Sequence, residues 1–120
     1  MTPKITAILE QRLPVRFGAE WTDDTKTLLL ELAETMHDRL CLRLNCDDES
    51  FPLPFVSILI DATAKAYRRL YYEGLNSENV DSIQNSFYED ILNEYADEIA
   101  DYKALNADAN TSTNKVVRFL

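Results

Sequence analysis

Apolar residues at Phe55, Ile58, Leu59, Ala62, Ala66 and Leu70 recur at three- and four-residue spacing, the repeat of one buried helix face. A second stripe, Val56, Ile60, Thr63, Tyr67 and Tyr71, runs beside the first. A helix apolar over so much of its circumference must be enclosed by other helices, from its own chain or from a neighbouring copy. The stretch is therefore predicted to be a central helix. It is predicted to stop at Glu73-Gly74, because Gly enters the left-handed conformation at a helix C-terminus without a steric penalty.

The rest of the chain has to supply the enclosing elements. Two Gly and four Pro in 120 residues leave little turn punctuation, which points to an all-α fold rather than a turn-rich β-sandwich. One domain of this length buries roughly two thirds of its unfolded surface and requires neither a metal nor a disulfide for stability. The expected architecture is a compact bundle of about four helices. The first helix starts where Thr2 can cap and Pro3 fits the first helical position, and its apolar stripe is Ile5, Ile8, Leu9 and Leu13. Pro14 sets its predicted boundary. Residues 15–21 then read as a connector whose Phe17 and Trp21 fold back onto the core.

Thr22, Asp23 and Asp24 offer alternative caps for a second helix, predicted to run to about Leu44 with Leu29, Leu32, Ala33, Met36, Leu40 and Leu44 on one face. Arg39 and Arg43 suit its C-terminal dipole end. Residues 45–53 form the clearest loop, through Asp47-Asp48-Glu49-Ser50, and Pro54 fits the first turn of the central helix.

Beyond the central helix, residues 75–85 are mostly polar yet carry Leu75, Val80 and Ile83, unusual for a merely solvated connector. The stretch is long for a helix-to-helix link, where about 2 to 8 residues are common, so a contact or gating role is expected of it. Ser86 and Glu89 have the spacing of a reciprocal cap, restarting helix. The fourth helix, from Phe87 to about Leu105, is predicted to bury Ile91, Tyr95, Ile99 and Tyr102, with Leu92 and Ala96 flanking. Its outer face is acidic through Glu94, Asp97, Glu98 and Asp101. Residues 106–114 have no apolar period and read as a flexible tether. Lys115, Val116, Val117, Arg118, Phe119 and Leu120 then form an apolar-basic hook, suited to a partner's groove or sheet edge. The chain thus divides into a helical domain, 1–105, and a tether with docking hook, 106–120.

Charge and residue inventory bear on function. A net charge of -9 argues against a duplex-binding surface, since Lys and Arg neutralising phosphates dominate that affinity. The cluster of Tyr67, Tyr71 and Tyr72 with Arg68 and Arg69 could stack on bases, but the acidic balance favours a helix contact, with the arginines paired to acids of the same or a neighbouring chain. Cys41 and Cys46 form no C-x-x-C, so neither a redox pair nor a zinc site is signalled, and both are expected to be reduced thiols. His37 and Cys41 share a helix face, yet two ligands do not make a metal site; His37 is expected at the surface and Cys41 as a small buried hydrophobe. No nucleophile elbow, Gly-rich phosphate loop or second His is present, so catalysis is not expected and no cofactor is implied. No apolar run approaches the ~18 residues of a membrane span, and residues 1–6 lack a signal peptide's apolar core, so a soluble protein that stays where it is made is expected.

The run Ala66-Tyr67-Arg68-Arg69-Leu70, then Glu73-Gly74-Leu75-Asn76-Ser77-Glu78, then Ser86-Phe87-Tyr88-Glu89-Asp90, resembles the head-to-tail connector proteins of long-tailed bacteriophages. Those small helical proteins typically carry a tyrosine- and arginine-rich helix, an E-G-L-S-S-E-like segment, a polar loop and an S-Y-E-like restart. The basic-aromatic end at 115–120 fits as well. The first half resembles them only in its helix pattern and acidic helix start at Asp23-Asp24. Asn76 and Asn79 stand where Ser is more usual, and Val80-Asp81 replaces what is often a Gly pair, which predicts a stiffer loop tip.

The resemblance implies a structural adaptor subunit of a phage neck, assembled in the host cytoplasm and located in the virion. Copies would form a ring of about twelve beneath the portal protein, extend the DNA channel, and meet a downstream stopper or tail-completion protein. DNA would pass without specific binding, repelled by a lumen of its own sign. On this reading Lys115, Val116, Val117, Arg118, Phe119 and Leu120 dock on the portal or partner. Leu75, Asn76, Ser77, Glu78, Asn79, Val80, Asp81, Ser82 and Ile83 form an inter-subunit or lumen loop, and Arg68, Arg69, Tyr71 and Tyr72 belong to a subunit interface. The alternative is a small cytoplasmic helical interaction or regulatory module acting as a dimer.

Overall fold

The computed structural model describes residues 1–72 and 85–106, excluding the side chains of residues 71, 72 and 85. Within them the fold is all-α, with four helices and no strand. No described helix is long and apolar enough to cross a membrane. The predicted end of the central helix at Glu73-Gly74, the loop at 75–83 and the hook at 115–120 lie outside the described residues.

Helix α1 spans Pro3–Phe17. The Thr2 hydroxyl accepts the Ile5 amide at 3.3 Å, and Pro3 occupies the first turn as its missing N–H allows. The helix does not end at Pro14, as the sequence suggested, but continues for one more turn. Pro14 forfeits one hydrogen bond to a carbonyl four residues back, yet Leu13 and Phe17 are both buried in the core on either side of it. Packing of those two side chains outweighs the lost bond. Gly18, at φ +53°, then closes the helix, its N–H donating to the Pro14 carbonyl. A 3-10 turn at Gly18–Glu20 leads to Trp21, which packs half-buried against the core as predicted.

Helix α2, Asp23–Leu44, takes Thr22 as its cap from the three candidates: the Thr22 hydroxyl accepts the Thr25 amide at 3.3 Å. That leaves Asp23 and Asp24 in the first turn, beside the positive end of the dipole. All six residues of its predicted stripe are buried. Asn45 ends it in the left-handed region, one of the few side chains that tolerates it. The following loop is held by Asp47 and Ser50, with the Ser50 amide donating to the Asp47 carboxylate at 2.8 Å and the Asp47 amide to the Ser50 hydroxyl at 3.0 Å.

Helix α3 spans Phe55–Tyr72, and Pro54 lies just ahead of it rather than in its first turn. The Phe55 and Val56 amides donate back to the Pro52 and Leu53 carbonyls, so a turn leads straight into the helix. Both stripes are enclosed: Leu59, Ala62, Ala66 and Leu70 on one, Val56, Ile60 and Thr63 on the other, all buried. Thr63 is tolerated there because its hydroxyl donates to the Leu59 carbonyl at 2.7 Å. α3 packs against α1, α2 and the fourth helix, most extensively against α2, and so has the central position its circumference demanded.

Helix α4, Asn85–Leu92, continues through a 3-10 turn at Asn93–Tyr95 into helical residues 96–106. Tyr88, Ile91, Leu92, Tyr95 and Ile99 are buried, and Tyr102 meets Phe55 edge-on with centroids 5.0 Å apart. Ala96, expected to flank the core, is exposed just beyond the 3-10 turn, while the Ile91, Tyr95, Ile99 stripe stays buried across it. Ser86 is not the residue before the helix, since the helix already includes Asn85. Glu89 does not reach back to it; its carboxylate is taken by Arg39 and Arg43 of α2.

Candidate interaction surfaces

Arg68 and Arg69 lie exposed in the last turns of α3. Among the described residues their partners are rings rather than the acids expected from sequence. The Arg68 guanidinium sits 6.0 Å from the Phe17 ring centre and that of Arg69 5.0 Å from Phe87. Phe17 in turn meets Tyr67 edge-on at 5.3 Å. The end of α1, the end of α3 and the start of α4 therefore converge, and two cations are laid over aromatic faces, each contact worth about 0.5–1 kcal/mol at an exposed site. Tyr71 and Tyr72 belong to the same end of α3. Phe17 and Phe87 were not among the predicted interface residues; their i, i+1 or i+3 neighbours gave no signal, because the contact joins three separate elements.

A second cluster ties α1, α3 and the fourth helix through Asp61. The Tyr95 hydroxyl donates to Asp61 Oδ2, Arg16 Nη1 donates to Oδ1 at 3.1 Å, and Lys65 Nζ lies 3.4 Å from Oδ2. Lys65 also reaches Glu94 at 3.2 Å and stands 4.7 Å over the Tyr95 ring. Burial acts to raise the Asp61 pKa, but the bonds from Tyr95 and Arg16 and the charge of Lys65 hold it below the usual carboxylate value. Burial, then the bond to Asp61, pushes the Tyr95 hydroxyl up to about 12. A saturated carboxylate and a phenol this weakly acidic make a clamp between helices and a poor proton-transfer pair at neutral pH. The Asp61–Lys65 spacing was legible in the sequence; Arg16 and Tyr95 joined it only on folding.

His37 is 0% exposed, so the expectation of a surface histidine is wrong. Its helix register places it beside Met36 and Leu40, under the loop that follows α2, where it stacks on Phe51 at 4.6 Å. Polarity is satisfied at both ring nitrogens, with Asp38 3.4 Å from Nδ1 and Asp48 3.4 Å from Nε2. Cys41 Sγ lies 3.7 Å from Nε2. Burial, then a hydrogen bond with Cys46, pushes the Cys41 thiol up to about 12, which disfavours the thiolate that nucleophilic or metal chemistry would use. Among the described residues no group of three His, Cys, Asp or Glu side chains is arranged to hold a metal ion.

A third feature was not anticipated. The last turn of α2 and residues 96–103 bound an open groove of about 560 Å³, lined by Leu42, Arg43, Ala96, Ile99, Ala100 and Lys103. Leu42 is 70% exposed at its edge. The sequence signal was present as an apolar Leu42 off the buried stripe, but only the exposed turn of Ala96 makes it half of a groove.

No protein-family model, curated protein or solved structure matches this chain.

Proposed function

We propose that the chain is a structural adaptor of a phage neck, a ring-forming subunit that joins the portal vertex of the DNA-filled head to the next neck or tail component. The observation that carries this reading is the motif series from Ala66 to Asp90 described above, in which a tyrosine- and arginine-rich helix end precedes a Glu-Gly-Leu segment and a Ser-Phe-Tyr-Glu restart. An all-α fold with Arg68 and Arg69 exposed where three helices converge is compatible with it. A charge of -9 per copy suits a channel that DNA traverses without sticking.

The proposed mechanism is multivalent docking. Hook and loop contacts that are weak singly become strong when a ring of sites engages a ring of sites, because each later contact is effectively intramolecular. Weak single contacts also keep free subunits from assembling early.

The test is the native mass of the purified chain over a concentration range, alone and with a candidate portal protein. A high-order ring, spontaneous or appearing only with portal, is expected. A dimer that ignores portal would overturn the reading in favour of a small regulatory module. Deleting residues 115–120 is expected to leave the fold intact and weaken partner binding; unchanged affinity would remove the hook from the mechanism.

A further inference from the structure

We propose that, in the free subunit, residues 116–120 of the same chain occupy the groove between the last turn of α2 and residues 96–103. The groove is apolar at its base, where the buried Ile99 lines it, and at its edges, where Ala96, Ala100 and Leu42 are exposed. Its volume of about 560 Å³ falls in the range of sites that take a few side chains. The described chain ends at Asn106, less than one helical turn beyond Lys103 at the groove's mouth. Residues 107–115 span up to about 30 Å when extended, ample for the chain to turn back along the groove. Among residues 107–120, the apolar side chains larger than alanine are Val116, Val117, Phe119 and Leu120.

Charge favours the same occupant. Of the two cations that line the groove, Arg43 is already compensated by Glu89 and Lys103 stands exposed at the mouth. Asp97 and Asp101, one residue round the helix from Ala96 and Ala100, are exposed along the outer flank. Apolar side chains of the hook fit the groove while Lys115 and Arg118 face those acids. A tether this short holds the hook at an effective concentration of about a millimolar, so a modest contact suffices within one chain and a second copy competes poorly at low concentration.

This goes beyond the neck reading and is tested on the isolated chain, with no portal present, so either can fail alone. Backbone amide NMR spectra of the full chain are compared with those of a chain lacking residues 115–120 and of Ala100→Glu. Ala100 is exposed, so that substitution leaves the core untouched. The expected result is that the deletion shifts the amides of Leu42, Ala96, Ile99, Ala100 and Lys103 at every protein concentration while those of α1 stay still. Trypsin cleavage after Arg118 is expected to be about tenfold faster in Ala100→Glu than in the parent, as it tracks the undocked population. Groove amides that ignore the deletion, or equal cleavage rates, would overturn the proposal. So would shifts that grow with protein concentration as the mass doubles, because the occupant would then be the hook of a second copy.

Discussion

The Arg43 guanidinium grips the Glu89 carboxylate with both Nε, at 3.1 Å, and Nη2, and the same Nη2 reaches Asn93 at 2.9 Å. Arg39, one turn earlier in α2, meets the other oxygen of Glu89 at 3.5 Å. The last turns of α2 are thereby fastened to the fourth helix by a fork that a lysine could not reproduce.

Breaking that fork is expected to loosen the fourth helix without unfolding the chain. Both side chains are partly exposed, so water screens much of the attraction. Glu89→Gln should cost about 1 kcal/mol, seen as a lower urea midpoint at unchanged slope. A double-mutant cycle with Arg43→Ala should return a coupling of similar size; additive losses would mean that the two residues act separately.

Asp61 and Tyr95 make stability depend on pH at both extremes. A carboxyl depressed in the folded state adds stability above its unfolded value of about 3.9, and that contribution is lost as pH falls through the lower folded value. A phenol raised to about 12 works at the other end. Its contribution is complete below about 10 and disappears as pH climbs towards the folded value. Tyr95→Phe is therefore expected to lower the melting temperature at pH 7, by loss of about 1.5 kcal/mol, and to flatten the decline between pH 10 and pH 12. Melts at pH 7 and pH 11 decide it: parallel losses in parent and variant would remove Tyr95 from the alkaline limb.

What could be read from the chain before folding was what repeats locally. The stripes of α1, α2 and α3 are set by three- and four-residue spacing, and Leu9, Leu32 and Leu59 are buried where that spacing put them. Local capping was also legible, though Thr22 rather than Asp23 or Asp24 took the cap of α2. Contacts between elements were not. Glu89 had a local use as a reciprocal cap, and the arginines of α2, remote in sequence, claimed it instead. His37 looked polar and exposed because nothing in its neighbourhood announces that Phe51 and Asp48 close over it. The exposure of Ala96, four residues after buried Leu92, and with it the groove, is likewise invisible to a strict helical repeat. Of the residues predicted for an interface, Arg68 and Arg69 are exposed, and the aromatic rings beneath them came from other helices.

Leu59 is fully buried in the stripe of α3 that faces the rest of the bundle. Leu59→Asp places a carboxylate with no partner in that core, which costs several kcal/mol, comparable to the whole stability of a domain this size. The variant is expected to be unfolded or to melt far below the parent. Leu59→Ala should instead fold with a loss of about 3 kcal/mol, separating the charge effect from the cavity. A circular-dichroism melt of Leu59→Asp matching the parent would contradict the burial.

Pro14 offers a prediction of opposite sign. It lies within α1, where it cannot donate to the carbonyl four residues earlier, at Glu10, and its ring crowds the same carbonyl. An interior proline is about 3 kcal/mol less favourable in a helix than alanine. Against this, proline restricts the unfolded chain, which returns about 1 kcal/mol of stability where the native φ suits it. The helix term is the larger, because the bond lost is internal to the helix and the next turn, ending at buried Phe17, is already held by the core. Pro14→Ala is therefore expected to stabilise the protein by about 1–2 kcal/mol and to slow amide exchange in residues 14–17. A destabilised variant would mean that the half-buried ring of Pro14 packs against its neighbours more strongly than its missing hydrogen bond costs.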